Sequence, residues 1–337
     1  MDSFAFVIHP LNPKRDVARK YPRLARILPT ALIHFFSLFW PPVYISHVTG
    51  VRSEATGKEI EGWLVACPFT ARQMLRLPPR TVYKKVIQTS RLAERLGARI
   101  LGLGAFISAV GDGGVTIDRQ LDIPVTTGHS LTMAVVVEAV EEAALYRGIR
   151  LESSIAAVVG ATGSIGSTCA KLLAPMVAEL MLVGQRGFRL AEVGAQVREA
   201  GAHLVRISTQ IEDIREADIV LSATNAAKPV IQPEHLKRGA IVCDVALPSD
   251  VSPWVVKERD DVLVIEGGVV DVPGTVNFGF DFGLPPGKAY ACMAETMVLA
   301  LEGRYESYSL GKQIQIEQVR EIAQLAREHG FRPSGVS

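Results

Sequence analysis

Three glycines at three-residue spacing, Gly160, Gly163 and Gly166, follow directly on the apolar run Ile155–Val159 and lead into helix-forming residues 165–174. Strand, tight turn and helix N-terminus in that order gather backbone N–H groups and the positive end of a helix dipole around an anion. That arrangement holds a dinucleotide pyrophosphate. Gly160 makes the turn, Gly163 lets the backbone approach the phosphates, and Gly166 lets the helix pack on the strand. The candidate phosphate-binding residues are therefore Gly160, Ala161, Thr162, Gly163, Ser164 and Ile165. The spacing is GxxGxxG, not GxGxxG, so a glycine-rich turn in another α/β unit stands as the alternative.

The next apolar run, residues 180–183, passes into Gly184-Gln185-Arg186 without an acid. An acid at that strand end bonds the ribose 2′-hydroxyl of NAD, whereas a cation accommodates the 2′-phosphate of NADP. Arg186 can make a bidentate phosphate contact, which favours NADPH; the plain alternative is a surface arginine. Ala223 and Thr224, after the run at residues 219–222, fall where the nicotinamide ribose would lie.

Cys292 is the candidate nucleophile. Pro285-Pro286-Gly287 cannot sit inside a helix, and the helix formers that follow predict a helix starting near Ala289. Cys292 then lies in or beside the first turn, where the helix dipole favours thiolate. Core packing is the competing reading, since free cysteine is often buried. Cys169 and Cys243 sit in a helix and a strand as packing residues, and Cys67 is ambiguous. Glu295, one turn on from Cys292, either positions a group or faces water. His129 is a weaker acid–base candidate.

The elements that must position these residues set the class. Strand-like runs at residues 180–183, 204–207, 219–222, 240–244 and 262–265 alternate with helical segments, which predicts a parallel sheet with helical crossovers. Residues 130–147 and 316–329 read as further helices, closed by Gly148 and Gly330. The 337 residues exceed what one core usually holds. The expected fold is α/β: a Rossmann-type NADP-binding domain with a parallel sheet, an N-terminal α/β substrate domain and a C-terminal helical segment. The expected division is residues 1–125, a connecting helix at 126–150, the dinucleotide domain at 151–287, and C-terminal helices at 288–337.

A balance of 36 Lys+Arg against 35 Asp+Glu argues against a general nucleic-acid binder. Four cysteines without metal-ligand spacing indicate neither a zinc site nor a disulfide framework, and the N-terminus has no signal pattern. The expectation is a cytoplasmic protein. Charge is nevertheless uneven. Arg72, Arg76, Arg80, Lys84, Lys85, Arg91, Arg95 and Arg99 face one acid, Glu94, and Lys14, Arg15, Arg19, Lys20, Arg23 and Arg26 form a second basic group. A solvated face is the default for such groups; an acidic partner is the functional reading. Residues 27–48, rich in Phe and broken by Pro41-Pro42, read as a buried core segment, with acyl-chain or membrane-surface contact as the alternative.

Thr126-Thr127-Gly128, Gly160-Ala161-Thr162-Gly163, Glu266-Gly267-Gly268-Val269-Val270 and Ala291-Cys292-Met293-Ala294-Glu295 occur in this order, with Phe331-Arg332-Pro333 near the end. Together they resemble the long-chain acyl-(acyl carrier protein) reductases of cyanobacterial alkane synthesis. Ser53-Glu54-Ala55-Thr56-Gly57-Lys58 and Leu101-Gly102-Leu103-Gly104-Ala105-Phe106 resemble that family's first domain. The resemblance implies an NADPH enzyme that reduces a long-chain acyl group, taken from acyl carrier protein or CoA, to a fatty aldehyde. It places the acyl-thioester on Cys292 and implies acyl carrier protein as partner, with an aldehyde-consuming enzyme downstream. Two other classes compete: a shikimate dehydrogenase-like ketone reductase, which needs a Lys–Asp pair for which Lys84 or Lys85 is available, and a non-catalytic dinucleotide- or lipid-binding protein.

Overall fold

The computed structural model describes residues 2–10, 14, 22–104, 107, 111–226 and 228–334; Arg15, Arg19, Lys20, Ala105 and Phe106, named above, lie outside the described residues. The chain divides into two units. Unit 1 comprises Met1–Gly128, Val272–Gln313 and Gln324–Phe331, and unit 2 the remainder.

Unit 1 is built on a mixed sheet of β1 (Ser3–Ile8), β2 (Val43–Arg52), β3 (Glu59–Ala66), β4 (Leu101–Leu103), β5 (Val125–Thr126) and the segment Gly274–Asn277. Its order is Gly274–Asn277, β2, β3, β1, β4, β5. β1 runs parallel to β3 and β4, while β2 and Gly274–Asn277 complete an antiparallel edge. Pro78-Pro79 splits the basic segment into two helices, Ala71–Arg76 and Pro79–Arg95, because proline cannot continue a helix but is preorganised for its first turn. The second helix is amphipathic. Val82, Val86 and Ala93 pack with Ala5, Val7, Val65 and Leu101 in one core, leaving Arg80, Lys84, Arg91 and Arg95 in water.

The helix Ala291–Glu302 is buried from Met293 to Leu301. A helix apolar on every side belongs inside a core. It lies flush on β4, since a Cβ on Gly102 would come 2.2 Å from Thr296 Oγ1. Residues 27–48 depart from the expected buried segment. Thr30–Ser37 is a short helix and β2 follows it, but Ile27, Leu32, Phe35, Phe36, Phe39 and Tyr44 are exposed while Ile33 is buried. Hydrophobicity alone does not distinguish an inward face from an outward one.

Unit 2 carries β6 (Ile155–Val159), β7 (Glu179–Val183), β8 (Val205–Ser208), β9 (Ile219–Ser222), β10 (Ile241–Asp244) and β11 (Leu263–Glu266). All neighbours are parallel, in the order β11-β10-β9-β6-β7-β8. This is the doubly wound arrangement whose order reverses between β6 and β9, the point at which such sheets open a ligand crevice. The expected strands are all present, within one residue at each end. Among the described residues no helix is long and apolar enough to cross a membrane, and no cluster of His, Cys, Asp and Glu could hold a metal ion.

Candidate functional site

The chemistry-bearing residues form two sets, each built within one unit. In unit 2, the loop Gly160–Gly163 leaves the carboxyl end of β6, with Gly163 as N-cap of the helix Ser164–Leu173. The N–H groups of Gly160 and Ala161 donate to the Val183 carbonyl at 2.9 and 3.2 Å, and the Gly163 N–H donates to Gly160 at 2.9 Å. Gly160 has φ +83°, and a Cβ there would lie 2.6 Å from the Ala223 carbonyl oxygen. A Cβ on Gly166 would lie 2.4 Å from the Gly160 oxygen. The glycines therefore serve a turn and a close helix–strand approach, while Gly163 supplies no side-chain cap. Ser164 Oγ, in the first helical turn, is buried without a hydrogen-bond partner among the described residues. A buried hydroxyl left unpaired beside free first-turn N–H groups is complementary to a pyrophosphate.

Arg186 follows the end of β7, exposed, as N-cap of the helix Gly187–Glu199, and it makes no capping bond. Ala223 and Thr224 follow β9, beside the glycine loop, so every predicted dinucleotide residue lies at the carboxyl ends of the adjacent strands β7, β6 and β9. Sequence reasoning missed what fixes the last of these. Asp250 is fully buried and accepts from the Ser222 hydroxyl at 2.7 Å, the Thr224 N–H at 2.9 Å and the Thr224 hydroxyl at 2.5 Å. Asp244 in turn accepts from the backbone N–H of Asp250 at 2.9 Å. Burial raises the Asp244 carboxyl above its ordinary value. No local sequence signal marks this pair, because Asp250 bonds Ser222 and Thr224, 28 and 26 positions away.

The second set lies in unit 1. Lys288–Tyr290 is extended, so the helix starts at Ala291, two residues later than expected, and Cys292 is its second residue. Cys67, Cys169 and Cys243 are fully buried, whereas Cys292 is half-buried. The expected dipole-activated thiolate is not the resting state: burial pushes the Cys292 thiol up to about 12, and the Glu295 charge adds to the rise. The N–H groups of Met293 and Cys292 itself pull the other way without prevailing. The helix end thus offers donors but does not by itself ionise the sulfur.

Glu295 does not face water. It is fully buried and accepts a hydrogen bond from the Thr126 hydroxyl. Thr126 Oγ1 also accepts from the Gly128 N–H at 3.2 Å. Gly128, at φ +72°, is held so close that a Cβ on it would lie 2.2 Å from Cys292 Cα. The motif at residues 53–58 supports the same helix: Lys58 Nζ donates to the Leu301 carbonyl at 2.7 Å, placing a cation at the negative helix end. Ser53 Oγ lies 2.8 Å from His329 Nδ1. His129 belongs to unit 2 and not to this set: as first residue of the helix His129–Arg147 it is buried, and that burial lowers it to about 4, so it stays neutral.

A parallel doubly wound sheet with a glycine loop at its switch point gives unit 2 the Rossmann-type arrangement, and with the matches that follow the protein is an NAD(P)-dependent oxidoreductase. Residues 142–266 match the shikimate/quinate 5-dehydrogenase model. The long-chain acyl-[acyl-carrier-protein] reductase of Synechococcus elongatus is 30% identical over 88% of this chain and 89% of its own length. The chain belongs to that reductase family. The aminotransferase PigE of a Serratia species is 33% identical over 83% of this chain, which spans only 33% of PigE. The quinate dehydrogenase of Corynebacterium glutamicum, solved with NAD, covers 95% of this chain and is covered to 97%, at 14% identity and a TM-score of 0.39.

Proposed function

We propose that this protein is a cytoplasmic enzyme that reduces a long-chain acyl group, delivered as a thioester of acyl carrier protein or CoA, to the fatty aldehyde, with NADPH as reductant and Cys292 as nucleophile. The observation that carries this reading is Cys292 itself, a half-buried thiol at the start of a buried helix with Gly128 against it. Cys292 Sγ attacks the thioester carbonyl, the bond to the carrier sulfur breaks, and the carrier thiolate leaves with the proton that Cys292 surrenders. The N–H groups at the helix start stabilise the oxyanion. Glu295 and Thr126 hold Gly128, and hence the approach to the sulfur, in place. Residues 160–165 and Arg186 would hold NADPH, which would supply the hydride that the acyl carbon needs. Hydride addition leaves the product carbon on Sγ as a thiohemiacetal oxyanion, whose collapse releases aldehyde and the Cys292 thiolate; a proton from water restores the thiol, and an aldehyde-consuming enzyme would take the product. Incubation with acyl carrier protein bearing a long-chain acyl group should add one acyl mass per chain, mapped to the peptide containing Cys292.

NADPH rather than NADH is favoured because Arg186 is exposed at a helix start and no acid ends β7. Arg186→Asp should weaken NADPH binding by about 1.5–3 kcal/mol, the scale of a lost charge-assisted contact, as titrated by calorimetry. Unchanged affinity would remove Arg186 from the cofactor site.

The exposed face of Pro79–Arg95 is the proposed dock for the acidic carrier. Lys85 is not available to it, since its Nζ donates to the Trp40 carbonyl at 2.9 Å and lies over the Phe69 ring. Lys84 and Arg91 are exposed. Reversing both should slow reduction of carrier-bound acyl groups and flatten its salt dependence, while CoA-bound substrate reacts as before. An equal fall for both substrates counts against docking. The ketone-reductase alternative shares the dehydrogenase match over residues 142–266 but lacks its catalytic pair, since among the described residues neither Lys84 nor Lys85 pairs with an Asp.

A further inference from the structure

The apolar segment that ends in β2 belongs to neither set of site residues. Ile27 is 78% exposed, Phe39 74% and Phe35 55%, with Leu32 and Phe36 each at 43%. The Phe35 ring meets Phe36 and Phe39 edge-on at 5.7 and 5.6 Å, so the three form one cluster standing out of the surface. An apolar group of this size on a water-facing surface marks an interaction site. Along the chain the charge beside it has one sign, although His47 of β2 meets Glu61 of β3 at 2.8 Å. Residues 17–53 contain no Asp or Glu, and Arg23 and Arg26, just before the cluster, are exposed. Gln73 Nε2 donates to Ser37 Oγ at 2.8 Å, and Lys85 fastens the Trp40 carbonyl, so the segment is tied to both basic helices. Arg76 and Lys84 on those helices are exposed.

We propose that this segment is a membrane-surface anchor: Phe35, Phe36 and Phe39, with Ile27 and Leu32, enter the interfacial layer of a bilayer while the surrounding arginines and lysines meet anionic headgroups. Charge complementarity and the degree of exposure select a bilayer over a folded partner. Ile27 and Phe39, 78% and 74% exposed, project far enough from their own protein to insert. The helix Thr30–Ser37, at eight residues, is far too short to cross and suits a position in the interface plane. The acid-free flanks supply the electrostatic part of such binding. The inference is independent of the acyl chemistry, because it concerns attachment of the chain without substrate.

The test is sedimentation of the full chain, without substrate, with vesicles of phosphatidylcholine alone or containing one-third phosphatidylglycerol. Binding to the anionic vesicles should exceed that to neutral ones by about tenfold and fall at high salt. Phe35→Ser with Phe39→Ser should lose most of the binding with the thermal melt unchanged, since both side chains are exposed. Arg23→Glu with Arg26→Glu should lose the preference for anionic vesicles. Absence of vesicle binding would overturn the proposal. So would binding that the Phe variant leaves intact, which would mean adsorption by the basic helices alone. Self-association of the native chain that the Phe variant abolishes, or loss of carrier-protein binding with vesicle binding retained, would give the cluster to a protein partner instead. Retained vesicle binding in a Cys292→Ser chain keeps this outcome separate from the fate of the catalytic reading.

Discussion

A Cys292→Ser chain should fold, bind NADPH and make no aldehyde. The swap removes no volume worth counting in a half-buried position, so stability should stay within about 1 kcal/mol. The chemistry changes far more. A serine hydroxyl needs a base to become a nucleophile, and the charged neighbour in the same helix, Glu295, is taken up by Thr126. Turnover should fall by roughly 10³-fold or more, the scale seen when a covalent nucleophile is removed, and the acyl adduct should vanish from intact mass spectra. Full activity in the serine chain, or an acyl group on Cys67, would sink the mechanism. The same thiol gives the wild type a pH signature. With Cys292 pushed up to about 12, little thiolate exists near neutrality. Alkylation by iodoacetamide should therefore rise about tenfold per pH unit from neutral to alkaline conditions. Because the folded chain holds this proton more tightly than the unfolded chain, stability from this group is present below the ordinary thiol value of 9.0 and drains away as pH rises above it.

Gly128→Ala should disturb the start of the Cys292 helix and cost stability. Its Cβ would fall 2.2 Å from Cys292 Cα and 2.4 Å from the Cys292 carbonyl oxygen, at a φ of +72° that L residues seldom adopt. Neither contact is the loose end of a side chain, so either the helix start or the Thr126–Gly128 turn must move. Left-handed strain and overpacking together should cost about 2–4 kcal/mol, read from the urea midpoint. The chain that does fold should acylate about 10²-fold more slowly, because the nucleophile is displaced from its approach path. A variant that acylates at the wild-type rate with an unchanged midpoint would show that this close fit carries no weight.

The two units differ in how far their sequence discloses them. In unit 2, strands buried on both faces read as short apolar runs, and Gly160, Gly163 and Gly166 announce the turn locally. The sheet and its dinucleotide loop were therefore legible. In unit 1 the decisive contacts are long-range. Thr126 and Glu295 are 169 positions apart, and nothing in either neighbourhood predicts the other. The Cys helix was anticipated because Pro285-Pro286-Gly287 forbids an earlier start, but the extended Lys288–Tyr290 moved it by two residues. Dipole reasoning favoured a thiolate at Cys292 and overlooked burial, which dominates. Ile27, Phe35 and Phe39 were read inward because apolar character says nothing about direction.

The unequal burial of the four thiols makes this chain its own reporter of opening. A thiol reagent added to the native protein can address Cys292 alone, whereas the denatured chain presents four sulfurs. Cys67 is sealed in the core of unit 1, and Cys169 and Cys243 lie in unit 2, in the helix behind the glycine loop and in β10. The order in which these three become reactive therefore resolves the breathing of each unit separately, without an introduced label. A dinucleotide bound at the glycine loop should slow the two sulfurs of its own unit and leave Cys67 unchanged.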